Sequence, residues 1–440
     1  MLTKHQDEGR RAAIDALSKF IENNNFIERA MLIDDIFGRF RLMVWAKETD
    51  SDKLKENLNA ILKESASNYW GGDIWIASDA IGIDKIVFEN AWKEAQPSDE
   101  KDCLRIMYRY RSRGAWLQGL TEPSWAAPDD GPAIVVFYSF KGGVGRSTAL
   151  ASFAISRARA GETVVVVDFD LDAPGAGLLL AADDKGTTAS WGVLDYLLER
   201  PYDEVDLRDY YHACRRSSVT GEGEVLVIPA GLMNSDYLGK LARVDFEPPS
   251  ETEKCHPLLL LLEDIKQDLK PHWILLDGRA GLSDSAGLLL GGLAHLYIIF
   301  GTSSEQSWQG LRIVLEKLGA QRVRLDRIQR DCLIVQAMIP EDPTVSRLAK
   351  ETFFDRARDE FAEYYYAADP AEGSEEDRFW YVRDMEDDDA LHVPIPISYH
   401  PKFANFSNID DIANDLVDLS DYRLLAERIT ARFGLDEEKQ

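Results

Sequence analysis

The stretch AIVVFYSFKGGVGRSTALASFAISRARA, residues 133 to 160, decides the fold. An apolar run typical of a strand comes first, a loop with Gly142, Gly143 and Gly145 follows, and a helical run closes the stretch. A strand, a loop and a helix in this order bring backbone N–H groups and the positive end of the helix dipole to one point, which favours an anion. The glycines permit tight curvature and close approach of the backbone. The stretch therefore predicts a phosphate-binding loop.

The loop departs from the pattern G-x-x-x-x-G-K-[ST] at two positions. Phe140 stands where the pattern has glycine, and Arg146 stands where it has lysine. Ser147 is nevertheless placed to bind Mg²⁺, and Thr148 is placed to donate to an α-phosphate.

Acidic residues end two of the later apolar runs. VVVVDFDLD brings Asp168 and Asp170 to the mouth of one strand, and WILLDGRAG brings Asp277 to the end of another, with Gly281 shortly after it. Phosphoryl transfer to water needs charge neutralisation, Mg²⁺ and an oriented nucleophile more than covalent help. The loop and these acids together predict a site that hydrolyses a nucleotide.

From residue 133 onward, apolar runs alternate with loops and helical segments. Continuously apolar runs are typical of parallel strands that are covered on both faces. We therefore predict a doubly wound α/β domain with a mostly parallel sheet. The candidate strands are AIVVFYSF, TVVVVDFD, EVLVIPA, WILLDG, LYIIF, CLIVQAM and VPIPIS.

Changes in composition predict three segments. Residues 1–120 are expected to form a small α/β module for protein contact or dimerisation, in which Ser51 caps a helix. Residues 121–132, rich in Pro, Gly and Asp, are expected to be a linker. Residues 133–440 would form the nucleotide domain, with an acidic insertion at about 341–390. That insertion is either a solvated segment or, because of its Tyr, Phe and Trp residues, a partner-binding surface.

Composition also restricts the partners and the compartment. The net charge of -27 argues against a surface that grips nucleic acid or anionic lipid. The four scattered cysteines (Cys103, Cys214, Cys255 and Cys332) suit reduced thiols, and the polar N-terminus argues against a secretion signal. The uncharged run 285–304 is long enough for a bilayer, but we interpret it as a core helix followed by the strand LYIIF. We expect a cytoplasmic protein.

Several motifs resemble one family. KGGVGRST, with Lys141 at its start, resembles the deviant Walker A motif of the ParA/MinD-type P-loop ATPases. VDFDLDAPG and LLDGRAGLSD resemble the next two motifs of that family, and IPISYHP resembles its late strand and nucleotide-base loop. The resemblance spans about residues 133–435. More narrowly, KGGVGR with DFDLDAPG and VIPAG resembles the KGGVGR-variant branch, which occurs in prokaryotic conflict or signalling proteins.

The resemblance implies catalytic roles and an ATP-bound homodimer. Lys141 would reach across the dimer to the phosphates of the partner, and Asp170 would orient the attacking water. Arg146 would replace the lysine that bridges the β- and γ-phosphates, keeping its charge and offering a planar fork of donors. The segment is thus interpreted as a distinct type of phosphate-binding loop and not as a degenerate copy of the usual one.

The resemblance also implies how ATP and Mg²⁺ are held. Ser147, Asp168 and Asp277 would support Mg²⁺. Arg279 has two open interpretations, a phosphate ligand or a salt-bridge partner. The expected nucleotide contacts are Gly142, Gly143, Val144, Gly145, Arg146, Ser147, Thr148, Gly281, Gln336 and Pro396.

The leading hypothesis is a Mg²⁺-dependent ATPase switch that dimerises around ATP and signals to a protein partner, by family analogy in a prokaryotic defence system. One alternative is a nucleotide-binding scaffold with negligible hydrolysis, because Arg146 replaces the loop lysine. Another is a ParA-like ATPase that positions DNA or cargo, against which the net charge weighs. The sequence names no partner, trigger or output, and the choice of ATP over GTP rests on the family.

Overall fold

The computed structural model describes residues 5–47, 50–98, 101–109, 112–117, 121–246, 256–371 and 376–434. Cys255 lies outside these residues, and Cys103, Cys214 and Cys332 are free thiols. The chain divides into two compact units, Met1–Ser112 and Arg113–Gln440.

The first unit is a mixed sheet with helices on both faces. Its strand order is β3-β2-β1-β5-β4, in which β1 is antiparallel to β2 and parallel to β5. Helix α2 begins after Asp50, whose carboxylate accepts the N–H groups of Asp52 and Lys53, so Asp50 and not Ser51 is the cap. The elements are α1 (Gln6–Glu22), β1 (Ile27–Asp34), β2 (Phe40–Ala46), α2 (Ser51–Ala66), β3 (Trp70–Ile76), α3 (Ile83–Glu94), β4 (Gln96–Ser98) and β5 (Lys101–Tyr108).

Two hydrophobic cores hold the first unit together. On one face, α1 and α2 bury residues such as Leu17 and Leu58 against the sheet. On the other face, α3 covers a smaller core that includes Trp45. The Arg29 guanidinium lies 4.6 Å from the Trp45 ring and 5.1 Å from the Trp92 ring, which adds cation–π attraction to this packing.

The second unit is built on one large sheet. Its strands are β6 (Ala133–Ser139), β7 (Thr163–Phe169), β8 (His212–Ala213), β9 (Glu224–Ile228), β10 (Trp273–Gly278), β11 (Leu296–Gly301), β12 (Asp331–Ile339) and β13 (Ile395–Ser398). Its helices are α4 (Gly114–Leu117), α5 (Arg146–Arg159), α6 (Ala176–Leu179), α7 (Val193–Glu199), α8 (Ser217–Thr220), α9 (Tyr237–Leu241), α10 (Pro257–Asp264), α11 (Asp284–Leu289), α12 (Glu305–Leu318), α13 (Ala320–Arg324), α14 (Pro343–Tyr364), α15 (Pro401–Ala404), α16 (Ala413–Asp418) and α17 (Ser420–Ala431).

The order of the large sheet confirms the predicted doubly wound α/β fold. The order is β13-β12-β11-β6-β10-β7-β9-β8, and the neighbours are parallel except for β8, which runs antiparallel to β9. The chain leaves β6 and returns at β7, on the far side of β10, so the ends of these three strands meet at one edge. In that register Asp277 lies beside Phe137 on one side and beside Asp168 on the other. The sheet itself thus brings the predicted acids to the predicted loop.

The segment predicted as a linker, 121–132, is packed into the second unit. The Thr121 N–H donates to the Gly291 carbonyl at 2.8 Å, and Glu122 pairs with the buried Arg322 at 2.6 Å. Trp125 is buried, and its indole N–H donates to the Pro132 carbonyl at 2.8 Å. The division between the units falls at residue 112, before the predicted boundary at 120. Composition misled here because proline, glycine and aspartate also suit a packed, irregular segment.

The acidic insertion at about 341–390 begins with α14, and residues 372–375 within it lie outside the described part. Tyr365 and Tyr366 are buried in the core of the unit, and the Trp380 indole donates to Asp331 at 2.8 Å. Tyr365 and Tyr366 are therefore used in packing, and a partner-binding surface on the insertion stays a prediction.

The apolar run 285–304 contains most of α11 and the whole of β11, as interpreted from the sequence. None of the helices in the described ranges combines the length and the apolarity that a bilayer crossing requires.

Candidate functional site

The glycine-rich loop, residues 140–145, joins β6 to α5. Gly143 and Gly145 have φ values of 73° and 83°, in the left-handed region that favours glycine. A Cβ added at Gly142, Gly143 or Gly145 would meet no atom within 4 Å, so the space over the loop is open. The side chain of Val144 is buried beneath it. The loop presents bare backbone to an open surface at the N-terminus of α5, as phosphate binding requires.

Phe140 fixes the first residue of the loop. Its ring packs directly against Gly310 of α12, where an added Cβ would lie 2.1 Å from the ring. The residue that breaks the sequence pattern is thus an anchor, which joins the start of the loop to a helix on the sheet.

Arg146 turns inward, away from the open side of the loop. Its Nε donates to Asp277 Oδ1 at 2.6 Å and its Nη2 to Asp170 Oδ2 at 2.9 Å. Only 9% of the residue is exposed. Burial lowers the pKa of the guanidinium, but the carboxylates of Asp277 and Asp170 outweigh it and leave the pKa above its usual value. Here Arg146 is a ligand of carboxylates, whereas the family resemblance implied a ligand of phosphates.

Asp277 is the most enclosed acid of the site. It is fully buried at the end of β10, and its Oδ2 accepts the Ser147 hydroxyl at 2.7 Å while Arg146 occupies Oδ1. Burial raises its pKa, and the contacts with Arg146 and Ser147 oppose that effect. Both oxygens therefore have hydrogen-bond donors from the first two residues of α5.

Asp168 lies beside Asp277 but faces the backbone. Its Oδ2 accepts the N–H groups of Gly175 at 2.9 Å and Gly177 at 3.2 Å, which fixes the chain that follows β7. Burial, and then the nearby charge of Asp277, raise the pKa of Asp168 to about 7. Its predicted role at Mg²⁺ remains a prediction, and its observed contacts are those of a cap on the turn before α6.

The donor set at Ser147 and Asp277 fits Mg²⁺, which prefers hard oxygen ligands. The described ranges contain no cluster of three His, Cys, Asp or Glu side chains arranged to hold a metal by themselves. Ser147 and Asp277 would therefore share the ion with oxygens of a bound phosphate. Thr148 is half-buried in the first turn of α5, close to the same place.

Arg279 forms a salt bridge with the carboxylate of Asp170, which is one of the two interpretations given for it from the sequence. Its Nη1 donates to Asp170 Oδ1 at 3.0 Å, and its Nε lies 3.1 Å from Asp172 Oδ2. Asp170 is thus held between Arg146 and Arg279. The sequence contained a signal for this contact, since Arg279 comes two residues after Asp277 and so leaves the same strand end.

Lys141 and Gly281 flank the loop. Lys141 is partly exposed, and its Nζ lies 3.4 Å from the Ser304 hydroxyl. Gly281 has a φ of 76°, its N–H donates to the Ser139 carbonyl at 3.1 Å, and its own carbonyl accepts the Tyr138 hydroxyl at 3.1 Å. These bonds hold Gly281 at the base of the loop.

Gln336 and Pro396 are neighbours in the register of β12 and β13. Gln336 is 2% exposed, and its amide donates to the Ala349 carbonyl of α14 at 3.0 Å. The structure therefore uses Gln336 to fix α14 and does not turn its amide towards an open surface.

An open cleft of about 600 Å³ lies beside Arg279. Arg113, Asp172, Arg279 and Asp284 line it together with apolar residues such as Phe246. Its cations are compensated, because Arg279 pairs with Asp172 and Arg113 with Asp284.

Solved structures with similar folds include a plasmid partition protein and a cell division ATPase. A plasmid partition protein of Borrelia burgdorferi B31 bound to AMPPNP is 16% identical, over 69% of this chain and 100% of that chain, with a TM-score of 0.42. The cell division ATPase MinD of Pyrococcus furiosus is 18% identical, over 68% and 98%, with a TM-score of 0.41.

A third similar structure is pNOB8 ParA bound to nonspecific DNA. It is 13% identical, over 68% of this chain and 98% of that chain, with a TM-score of 0.40. The prediction that nucleic acid is an unlikely partner is not tested by this likeness and stays a prediction.

No curated protein matches the chain. The family model of the CobQ/CobB/MinD/ParA nucleotide binding domain matches residues 135–352, which run from β6 through the loop, the acids and the first part of α14. The large parallel sheet, with its glycine loop beside buried carboxylates, is thus a nucleotide-binding domain of the CobQ/CobB/MinD/ParA family.

Proposed function

We propose that this protein is a Mg²⁺-dependent ATPase that dimerises around ATP and so acts as a switch for a protein partner. One observation carries the proposal: the open glycine loop lies directly beside three carboxylates, Asp168, Asp170 and Asp277, on adjacent strand ends. Phosphate, metal and water would meet at that edge, as hydrolysis of a nucleoside triphosphate requires.

The roles follow the positions of the side chains. Ser147 and Asp277 would hold Mg²⁺, which neutralises charge on the phosphates. Asp170, at the mouth of the site, would orient water. Lys141 is partly exposed at the start of the loop, and in a dimer it would reach the phosphates of the second copy. In this proposal the loop is a deviant Walker A loop, in which Lys141 supplies a positive charge to the phosphates.

Steady-state ATP hydrolysis over a range of protein concentrations tests the proposal. We expect activity per molecule to rise with concentration, because the dimer completes the site. Asp170→Ala should remove turnover while leaving nucleotide binding in place. A chain that does not bind ATP at all would contradict the proposal.

A nucleotide-binding scaffold with negligible hydrolysis is the second candidate, and the position of Arg146 favours it. Asp170 is held at both oxygens, by Arg146 at 2.9 Å and by Arg279 at 3.0 Å, which leaves it less free to orient water. The same assay separates the candidates. If ATP binds but neither the native chain nor Asp170→Ala turns it over at any concentration, the scaffold is the better description.

The switch needs a partner, and the first unit is the part of the chain that we propose for it. The family branch extends this proposal to a prokaryotic defence system. Affinity of the partner for the native chain with ATP, compared with ADP, is the corresponding measurement.

A further inference from the structure

We propose that Arg146 competes with the divalent cation for Asp277, so that a cation enters this site only when Arg146 has another anion to bind. The proposal rests on the proposed function, since it concerns the cation of the same nucleotide site. Arg146 would thus control whether a cation can reach Asp277, and we call this control the gate.

Both carboxylate oxygens of Asp277 are already occupied. Arg146 Nε is 2.6 Å from Asp277 Oδ1, and the Ser147 hydroxyl is 2.7 Å from Asp277 Oδ2. A Mg²⁺ ion, or a water bound to it, needs one of the same oxygen positions. Asp277 therefore cannot keep its full ion pair with Arg146 and bind the divalent cation at full strength at the same time.

The positive charges of Arg146 and of the cation also oppose joint binding at Asp277. Asp277 is fully buried, and Arg146 is 9% exposed. A divalent cation next to the guanidinium would repel it strongly, because little water screens two positive charges in a buried site. Conversely, removing the guanidinium from Asp277 would leave a buried carboxylate unpaired, which is unfavourable unless another cation replaces it.

A bound phosphate would give Arg146 an alternative partner. Arg146 is the first residue of α5 and directly follows Gly145, so it lies next to the open anion site of the loop. A phosphate there offers the guanidinium a bidentate acceptor. Arg146 would then move to the phosphate as Mg²⁺ takes Asp277, and neither carboxylate nor phosphate would be left without a cation.

Binding of Mn²⁺ without nucleotide, measured by the electron paramagnetic resonance of the free ion, tests the gate. Mn²⁺ is the probe because it prefers the same oxygen ligands as Mg²⁺. The native chain should bind Mn²⁺ weakly, and Arg146→Gln should bind it at least about tenfold more tightly, since a neighbouring like charge is gone. Adding Asp277→Asn to Arg146→Gln should abolish the gain, which would locate the ion at Asp277.

Arg279→Gln is the matched control. Arg279 pairs with Asp170 and Asp172, and its side chain is 31% exposed. We expect its Mn²⁺ affinity to stay within about threefold of the native value, because an exposed charge is screened. If Arg279→Gln tightens Mn²⁺ as much as Arg146→Gln, only net charge matters and the gate is wrong.

Arg146→Lys keeps the experiment decisive if Arg146→Gln does not fold. Lysine keeps one charge but cannot bridge two carboxylates with a planar fork, so Mn²⁺ affinity should lie between the other two. A native chain that binds Mn²⁺ as tightly as the variants overturns the proposal. Calorimetry with Mg²⁺ and ATP on the native chain is independent: absence of ATP binding would contradict the proposed function, while the Mn²⁺ comparison would still decide the gate.

Discussion

Gly145 ends the loop with a φ of 83°, in a region where L-residues are strained. Gly145→Ala should therefore destabilise the second unit by about 1–2 kcal/mol, although no atom lies within 4 Å of the added Cβ. It should also weaken nucleotide binding, since α5 starts at the next residue. Urea unfolding followed by tryptophan fluorescence, with ATP titration of the folded variant, measures both effects.

Gly142→Ala is the matched control, because Gly142 has equally open surroundings but no positive φ in this loop. Its stability should equal that of the native chain. If both variants are equally stable, the backbone at Gly145 is not strained.

The buried position of Lys317 leads us to expect a pH-dependent stability. Lys317 is 3% exposed, and its Nζ donates to the carbonyls of Ala115 at 2.9 Å and Trp116 at 3.1 Å. Burial, and then the charge of Arg322, lower the pKa of Lys317 from 10.5 to about 7. Between these values the unfolded chain binds a proton that the folded chain does not, so this residue makes stability rise with pH, by up to about 1.4 kcal/mol per unit.

Lys317→Met should remove this rise. Thermal unfolding of both chains between about pH 7.5 and about pH 9.5 is the measurement, and the difference between them isolates Lys317 from other titrating groups. The native chain should gain stability relative to Lys317→Met across that window. A constant difference would mean that Lys317 is charged in the fold at these pH values.

For single residues, the sequence predicts the position of a residue in the fold better than the direction in which its side chain points. The sequence predicts one site for four residues, because parallel strands end at the same edge of the sheet. The structure places all four there: Asp168, Asp170, Asp277 and Arg146. The direction of the Arg146 side chain could not be predicted, since it depends on the low exposure of Asp277. Likewise, the packing of α14 on β12 decides where the Gln336 amide points.

The position of α12 against the loop gives a prediction at the scale of elements. Gly310 lies inside α12, where alanine would ordinarily stabilise by about 1 kcal/mol. An added Cβ would instead lie 2.1 Å from the Phe140 ring. Gly310→Ala should therefore destabilise the chain, by about 1–3 kcal/mol, and displace the start of the loop. The midpoint of thermal unfolding and the affinity for ATP should both decrease.

Gly239→Ala in α9 controls for helix propensity, because a Cβ there would meet nothing within 4 Å. It should be neutral or slightly stabilising. Phe140→Ala in the Gly310→Ala chain should recover part of the lost stability. If Gly310→Ala is as stable as Gly239→Ala, Phe140 does not anchor the loop on α12.

Among the elements, the sequence predicted every large parallel strand of the second unit, because each is a continuous apolar run between breakers. It did not predict β1, although β1 lies between β2 and β5 in the first sheet. The run IERAMLID mixes charged and apolar residues without a clean alternation, since helices cover both faces of that sheet. The two-residue β8 is too short to leave a pattern.

For the whole molecule, the errors of prediction concern boundaries. The segment 121–132 is predicted to be a linker because of its proline, glycine and aspartate content, and α4 falls within the predicted module of residues 1–120. They join the second unit through a few buried or partly buried side chains. Among these, Trp116 donates to the Ser283 carbonyl at 2.6 Å and lies 2.5 Å from where a Cβ on Gly287 would be. Such contacts join residues far apart in the chain and leave no local signal.

The unit boundary at residue 112 gives the last prediction. Chains of residues 113–440 and 121–440 differ only in whether they keep α4 and its neighbours. Arg113 pairs with Asp284, and α4 supplies both carbonyl acceptors of Lys317. The shorter chain should lose about 2–4 kcal/mol, because it exposes the site of a partly buried tryptophan and leaves a buried lysine without those acceptors. Its thermal midpoint should be clearly lower than that of residues 113–440.

Lys317→Met identifies the cause of this loss. In residues 121–440 the variant should restore part of the stability, since an apolar side chain does not need the two carbonyl acceptors. In residues 113–440, where the acceptors remain, the same variant should gain less stability than in residues 121–440, because there it also removes two hydrogen bonds. Equal midpoints for the two fragments would place α4 outside the second unit and favour the boundary at residue 120. A lower midpoint for residues 121–440 that Lys317→Met raises would show that the nucleotide domain begins at Arg113, with α4 as a part of its core.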